Sequence, residues 1–437
     1  MKKSKFTFKE VIEEQKKPLD YKIQKAVDAI AEGFRLSKGA VGLAFSGGKD
    51  STVLWHLVRT YFPDEAYHVI FGNTTVEFPE SLAFARKLGR EWSSDKAQFH
   101  EVLPDKLEED GLKYDAQKEV LDWLVREGRI GEVLKDDGKL KSTRILEMAA
   151  TPEMWEGFRK RGLVWKKGTM KSYAWCCDQY GYPILGKAAS KLTARRINID
   201  CFLRFSDSAS EKQETLEYYD LLRHVKTSNH CCSILKKEPS EKKQAELGID
   251  VVMKGLMAEE SHSRLLSFAT RGYIFKSSRP HAPEFYHCSP LGIWTDADIW
   301  KYIEKYNVPY SPLYDMTYVN RKYEGCYIKR NGCVGCCTDI AFPDNHMSVL
   351  RQTHPKLWRH YMKSGLGEQL MKLEEYKSNG QLSFLNIADD VDDVLDRRPC
   401  AFDRIGERIV EDGITSSGYD SEADAEYEQM EIYDYLE

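Results

Sequence analysis

The chain has 437 residues, 42% of them hydrophobic and 30% charged, with a formal net charge of −5. That length exceeds what one hydrophobic core usually holds, so two or three domains are expected. The negative balance argues against a protein that coats nucleic acid indiscriminately, and no apolar run approaches the roughly 18 residues of a membrane span.

The opening stretch, MKKSKFTFKEVIEEQKKPLDYK, is basic but has no apolar core, so it reads as no signal peptide and a cytoplasmic location is expected. In a reducing compartment the 11 cysteines, largely clustered, point to metal ligands or reactive thiols rather than disulfides. Residues 8 to 37 place Val11, Ile12, Ile23, Ala26, Ile30 and Phe34 at helical spacing. AVGLAF (40 to 45) is then a short buried-type strand ending in a Gly-rich turn, and DSTVLWHLVRTYF continues as a helix. AYHVIFG (66 to 72), EFPESLAFARKLGREW and QFHEVL (98 to 103) read as strand, helix and strand. This alternation predicts parallel βαβ units in a doubly wound α/β sheet.

Regularity stops between residues 105 and 228, a charged, helix-prone insertion. It holds two basic stretches, FRKRGLVWKKGTMK and KAASKLTARR. The sheet resumes at DVVMKGLM (250 to 257), and EFYHCSPLGIW offers a further strand. TDADIWKYIEKY is a helix that Thr295 or Asp296 can cap. The expected organisation is an N-terminal helical segment (1–37), a core in two parts (38–104 and 229–345) around the insertion (105–228), and a C-terminal extension (346–437). The extension is expected to be helical or irregular and to end in an acidic solvated tail.

AFSGGKDSTVL puts Ser46, Gly47, Gly48, Lys49, Asp50 and Ser51 at a strand-to-helix junction. Two glycines admit an anion close to the backbone, and the helix start aims N–H groups and its positive dipole end at it. Ser46 and Ser51 can donate hydroxyls and Lys49 a full charge. Asp50 would be repelled by bare phosphate, which assigns it a Mg²⁺ bridge or an amide-orienting role. The pattern is not G-x-x-x-x-G-K-[ST], so γ-phosphate transfer is not implied. It resembles the PP-loop of ATP pyrophosphatases, which cleave ATP between the α and β phosphates and leave an adenylylated intermediate.

Other stretches are similar to the phosphoadenosine phosphosulfate (PAPS) reductase family: FGNTTVEFPESLAFARKL (71 to 88), GLMAEESHSR (255 to 264) and SPLGIWTDADIWKYIEKYNVPYSPLYD (289 to 315). The resemblance spans roughly 38–103 and 229–340 and implies an adenine nucleotide alpha-hydrolase-like, PP-loop fold. It implies Lys49, Asp50 and Ser51 as catalytic residues and an ATP site on the 46–51 loop. Asn73, Thr74 and Glu77 would line base and ribose, and Gly255, Glu260 and Arg264 would orient the nucleotide. Met257 stands where the family usually has arginine. For Glu260 and Arg264 a surface ion pair is the competing reading.

CCSILKKEP resembles the cysteine pair of the sulfate-reductase branch that carries a [4Fe–4S] cluster, completed downstream by a C-x-x-C. The resemblance implies Cys231, Cys232, Cys333 and Cys336 as ligands, and thiolates suit such a cluster. A tetrathiolate zinc site, or a redox dithiol at Cys333 and Cys336, fits the same pattern. Cys176, Cys177, Cys288, Cys326 and Cys337 are spare thiols, and the Cys176–Cys177 pair reads first as a half-buried apolar turn.

Two departures from the reductases matter. Their phosphate loop is generally degenerate, whereas SGGKDS is intact here. Their C-terminal nucleophilic cysteine has no counterpart beyond Cys400 in RRPCAFDR. The expectation is therefore an ATP-dependent sulfur-transfer enzyme, resembling the sulfur component of DNA phosphorothioation systems. That resemblance implies a sulfur donor such as a cysteine desulfurase and a nucleic-acid acceptor. The alternatives are a sulfonucleotide reductase and a non-catalytic metal-stabilised subunit. Arg159, Lys160, Arg161, Lys166, Lys167, Lys171, Lys187, Lys191, Arg195 and Arg196, with Tyr173 and Trp175 as stacking faces, form a candidate nucleic-acid surface. A solvated helical face with ordinary core aromatics is the preferred reading of them.

Overall fold

The structure, a computed structural model, describes residues 5–184, 209, 225–319, 323–340, 345–377 and 398–399. The N-terminal helical stretch divides at Pro18, which has no N–H to continue a helix. It gives α1 (Phe8–Gln15), closed by a Thr7–Glu10 capping box, and α2 (Leu19–Leu36). The alternation that follows is as expected: β1 (Ala40–Phe45), α3 (Lys49–Tyr61), β2 (Tyr67–Gly72), α4 (Pro79–Trp92) and β3 (Ala97–Val102).

The chain then leaves the sheet. Its insertion contains β4 (Gly111–Leu112), α5 (Tyr114–Arg126), α6 (Thr143–Ala149), α7 (Pro152–Lys160), β5 (Val164–Trp165) and α8 (Tyr173–Tyr180). These elements bury an apolar cluster of their own, including Leu112, Val120, Leu124, Leu146 and Phe158. A π-helical turn (Ser233–Lys237) leads into α9 (Glu238–Glu246) and back to the sheet at β6 (Ile249–Lys254). After α10 (His262–Arg271), β7 (Ile274–Arg279) and β8 (Ala282–Cys288) form an antiparallel pair. The strand expected at EFYHC is β8. Its partner β7, IFKSSR, was not expected, because an edge strand with polar residues facing solvent carries little apolar signal.

The six strands run in the order β3-β2-β1-β6-β8-β7, parallel except for β7. This is the mostly parallel, doubly wound α/β sheet that the sequence implies. Helices cover both faces, so strand interiors are apolar throughout. Val69, Phe71, Val251 and Met253 join the core shared with α2 and α3, while Ile70, Val252 and Phe285 join a second cluster on the opposite face. The chain winds outward from β1 to β3 on one side and resumes at β6 on the other. The carboxyl ends of β1 and β6 therefore flank the crevice where such sheets bind ligands.

Behind this crevice, α11 (Asp296–Tyr306) is anchored to α2. Thr295, not Asp296, caps it in a reciprocal box with Asp298, and Asp298 also takes the buried Lys22 ammonium at 2.5 Å. Asp296 is thus left to act elsewhere. No helix among the described residues is long and apolar enough to cross a membrane.

Candidate functional site

The loop after β1 turns through Gly47, whose φ of +69° glycine adopts freely. Gly48 N-caps α3 without a side chain. The loop's donors are held by internal acceptors. Gly48 N–H donates to Ser46 Oγ (3.3 Å), Ser51 Oγ to the Gly48 carbonyl (2.9 Å), and Lys49 N–H to Tyr314 Oη (3.3 Å). The Lys49 side chain is 3% exposed, with its ammonium 3.0 Å from Asp50 and 2.8 Å from Asp296. Burial opposes its charge, but Asp50, Tyr314 and Asp296 together outweigh burial and raise its pKa. Burial pushes the Asp50 carboxyl upward, against the pull of Lys49. Gly255, just past β6, lies flat on this junction: a Cβ there would meet the Asp50 backbone at 3.0 Å.

The structure brings most of the other anticipated residues to the same edge. Asn73 follows β2, donates to Glu101 at 2.6 Å and accepts from Thr75 N–H. Glu77 is buried and receives the Thr74 amide and hydroxyl, the latter at 2.8 Å. Burial raises its pKa, and these Thr74 bonds oppose the rise. Glu260 pairs with Arg264 one helical turn on and accepts from Met257 N–H. It is also close enough to Asp50 to disfavour that carboxylate. The surface ion-pair reading of Glu260 and Arg264 therefore holds geometrically, at the rim of the phosphate loop.

Cys231 and Cys232 open the π-helical turn, and Cys333 and Cys336 close a tight turn in which Cys336 N–H donates to the Cys333 carbonyl at 3.0 Å. The two pairs share one neighbourhood, since Cys232 and Cys333 each act electrostatically on Cys336 or are acted on by it. The Cys231 thiol supports the Cys232 thiolate by hydrogen bonding and, with Lys237 and Lys236 nearby, lowers the Cys232 pKa. Burial, with Glu77, pushes Cys333 up to about 12. Cys176, Cys177 and Cys337 are buried against the same group. The Cys176–Cys177 pair is thus in the buried helix α8, not the half-buried turn expected. Periodicity missed this because the helix has only eight residues.

Four free thiols delivered from two segments, one already biased to thiolate, fit the donor chemistry of an iron–sulfur cluster. Among the described residues no three Cys, His, Asp or Glu side chains are grouped to hold a single metal ion. A cubane spreads its ligands over separate irons and does not require that closure.

The segment before the second cysteine pair was not singled out by spacing, yet it joins the two halves of the site. Arg330 donates to the Glu260 carbonyl (3.1 Å), and Asn331 Nδ2 to the Ser46 carbonyl (3.1 Å). Cys333 Sγ lies 3.5 Å from Thr74 Oγ1, and Val334 N–H donates to the Val76 carbonyl (2.7 Å). Asp296 and Tyr314 were also missed as site residues. Their sequence signal was only membership of the stretch at 289–315.

On the insertion, the described residues agree with the preferred reading of a solvated face with core aromatics. Arg159 pairs with Asp110, Lys160 with Glu156 and Arg161 with Glu119. Tyr173 and Trp175 are buried, Tyr173 donating to the Gly335 carbonyl at 2.7 Å, so neither presents a stacking face. Lys187, Lys191, Arg195, Arg196, Cys400 and the acidic tail lie outside the described residues.

The model of the phosphoadenosine phosphosulfate reductase domain matches residues 40–160 and 187–339. An adenosine 5'-phosphosulfate reductase of Lysinibacillus sphaericus is 35% identical over 99 residues, 22% of this chain and 38% of that protein. A phosphoadenosine 5'-phosphosulfate reductase of Xylella fastidiosa is 28% identical over 133 residues, 27% of this chain and 52% of that protein. The chain thus spans about half or less of the length of these curated relatives. The crystal structure of a PAPS reductase from Candida auris aligns over 68% of this chain and 89% of its own, at 13% identity and a TM-score of 0.31. With more than half of its residues matched by the family model, the chain belongs to the phosphoadenosine phosphosulfate reductase domain family.

Proposed function

We propose that this family member is an ATP-dependent sulfur-transfer enzyme, adenylylating an acceptor oxygen and then replacing it with sulfur. The observation that carries the reading is the intact SGGKDS loop, its Lys49 buried and charged, joined through Arg330–Val334 to a converging set of thiols. Lys49 and the N–H groups opening α3 would hold the β and γ phosphates as an acceptor oxygen attacks the α phosphorus and pyrophosphate leaves. Asp50, with Asp296 beside it, would carry the Mg²⁺ that neutralises the departing pyrophosphate. Asn73, Thr74 and Glu77 would seat the base and ribose. A sulfur nucleophile then displaces AMP from the activated acceptor.

Cys231, Cys232, Cys333 and Cys336 would hold a [4Fe–4S] cluster, which when bound supplies a soft site for delivering sulfur beside the nucleotide. The donor is a persulfide carrier of the cysteine desulfurase kind and the acceptor a nucleic-acid phosphate as in DNA phosphorothioation: the outer persulfide sulfur attacks phosphorus as AMP leaves, and an external thiol reductant then cleaves the resulting P–S–S–R link, supplying the two electrons that free the phosphorothioate.

Calorimetry on anaerobically prepared protein tests the reading, comparing a non-hydrolysable ATP analogue plus Mg²⁺ with the two sulfonucleotides. Preference for the ATP analogue, lost in Lys49→Ala, is expected. Preference for a sulfonucleotide would overturn it and favour the alternative, a sulfonucleotide reductase releasing sulfite.

A further inference from the structure

Asn331 occupies a position that neither the phosphate loop nor the cysteine motif explains alone. Its Nδ2 donates to the Ser46 carbonyl at 3.1 Å, and its Oδ1 accepts from Tyr314 Oη at 3.4 Å. Tyr314 in turn accepts the Lys49 N–H at 3.3 Å, so the bonds form a ring that leaves the loop at Lys49 and returns at Ser46. The tyrosine is 1% exposed and its ring is packed on Trp300, which fixes the hydroxyl. Gly48 leaves the room the amide fills: a Cβ there would stand 2.7 Å from Asn331 Oδ1. The small residue at the loop's apex thus serves this side chain as well as any bound phosphate.

Two residues further on, Cys333 bridges to Glu77 and touches the Thr74 hydroxyl. Two peptide units span at most about 7 Å, so a displacement at Asn331 is felt at Cys333 with little slack. An incoming pyrophosphate group needs the Gly48 and Lys49 N–H groups that Ser46 Oγ and Tyr314 Oη now accept. Binding must therefore redistribute the ring of which Asn331 is the far member.

We propose that Asn331 is a positioning residue that couples the two halves of the site, so that filling the phosphate loop immobilises the Cys333–Cys336 turn. Linkage makes the effect reciprocal: whatever occupies the thiols tightens nucleotide binding by the same factor. The proposal rests on the nucleotide-binding reading above; it requires only that an anionic group of the bound nucleotide, the pyrophosphate of ATP or the sulfate of a sulfonucleotide, enter the loop.

Its test needs no metal. The rate of alkylation of Cys333 and Cys336 by iodoacetamide is measured by peptide mass spectrometry in reduced, metal-free protein. It is read without nucleotide and with a saturating non-hydrolysable ATP analogue plus Mg²⁺ or adenosine phosphosulfate, whichever binds. In the wild type, nucleotide should slow both cysteines about fivefold or more, the lower end of usual coupling factors. Asn331→Asp keeps the side-chain size but removes the donor to Ser46, and Tyr314→Phe keeps the packed ring but breaks the bonds. Each should bind nucleotide measurably while losing most of that protection. Simple shielding of the thiols by nucleotide would leave protection intact in both variants, and that result overturns the proposal. So does equal alkylation with and without nucleotide in the wild type. Failure of the wild type to bind either nucleotide in calorimetry would sink the function reading and the coupling together.

Discussion

Lys49 shows how finely a single residue's partners are set. Its ammonium lies between Asp50, whose side chain is 24% exposed, and Asp296, whose side chain is 43% exposed. These carboxylates differ in what they do. Removing the lysine leaves the part-buried Asp50 carboxyl without its close partner, so Lys49→Met should cost about 1–3 kcal/mol in urea unfolding, the usual penalty for a desolvated polar group left unpaired. Asp296 is a competitor for the same ammonium. With it neutralised, an incoming anion no longer has to displace a carboxylate worth up to about 1 kcal/mol. Asp296→Asn should therefore bind inorganic pyrophosphate, without Mg²⁺, about fivefold more tightly. Weaker binding would mean that Asp296 positions Lys49 for the anion instead.

The elements that carry these residues are held by close approach as much as by apolar area. β6 ends on Gly255, whose missing side chain lets the strand end rest on the Asp50 backbone. Gly255→Ala should push β6 from the loop, costing about 1–3 kcal/mol as other overpacked sites do, and should lower nucleotide affinity more than stability. Strand β8, which lies between β6 and the edge strand β7, supplies a pH dependence. His287 stacks on Phe275, meets Phe285 edge-on and bonds Ser277 at 3.0 Å; burial, with Lys254 and Arg279 nearby, lowers its pKa to about 4. The unfolded chain takes up this proton near the ordinary imidazole value of about 6.5. Stability from neutral His287 is thus complete above that value and drains away as pH falls toward 4. His287→Gln should flatten the melting temperature across this window, while leaving the acid loss due to the similarly shifted His346. Much of this level was legible beforehand. Continuous apolar runs mark β1, β2 and β6 because both faces are covered, and a Gly-rich turn after a strand marks the loop. The polar edge strand β7 was not legible, because its exposed face carries no apolar period to detect.

Across the whole molecule, legibility falls with sequence distance. The four thiols expected as ligands are implied by the family resemblance, but the side chains that join them to the loop are not. Asn331 bonds a residue 285 positions away and Tyr314 one 265 away, and no local pattern encodes such pairs. Nor was it legible that α8, inside the insertion, packs Cys176 and Cys177 against the thiols of the core. That convergence ties three distant stretches together: α8, the π-helical turn and the second cysteine motif, with Cys337 N–H donating to the Pro183 carbonyl at 2.8 Å. Ligands that bind only the assembled thiols stabilise the folded chain by mass action, because the unfolded chain lacks the site. Anaerobic reconstitution with iron and sulfide should therefore raise the melting temperature, and chelation should lower it again. Cys336→Ser should abolish that difference. Cys288→Ala makes a sharp control: its thiol is fully buried against the Ala29 carbonyl at 3.4 Å, outside the converging group. It should lower the baseline melting temperature while keeping the full shift on reconstitution. A shift lost in both variants would mean that iron acts through general thiol chemistry rather than through the convergent site. A shift kept in Cys336→Ser would move the ligand set toward Cys176, Cys177 and Cys337.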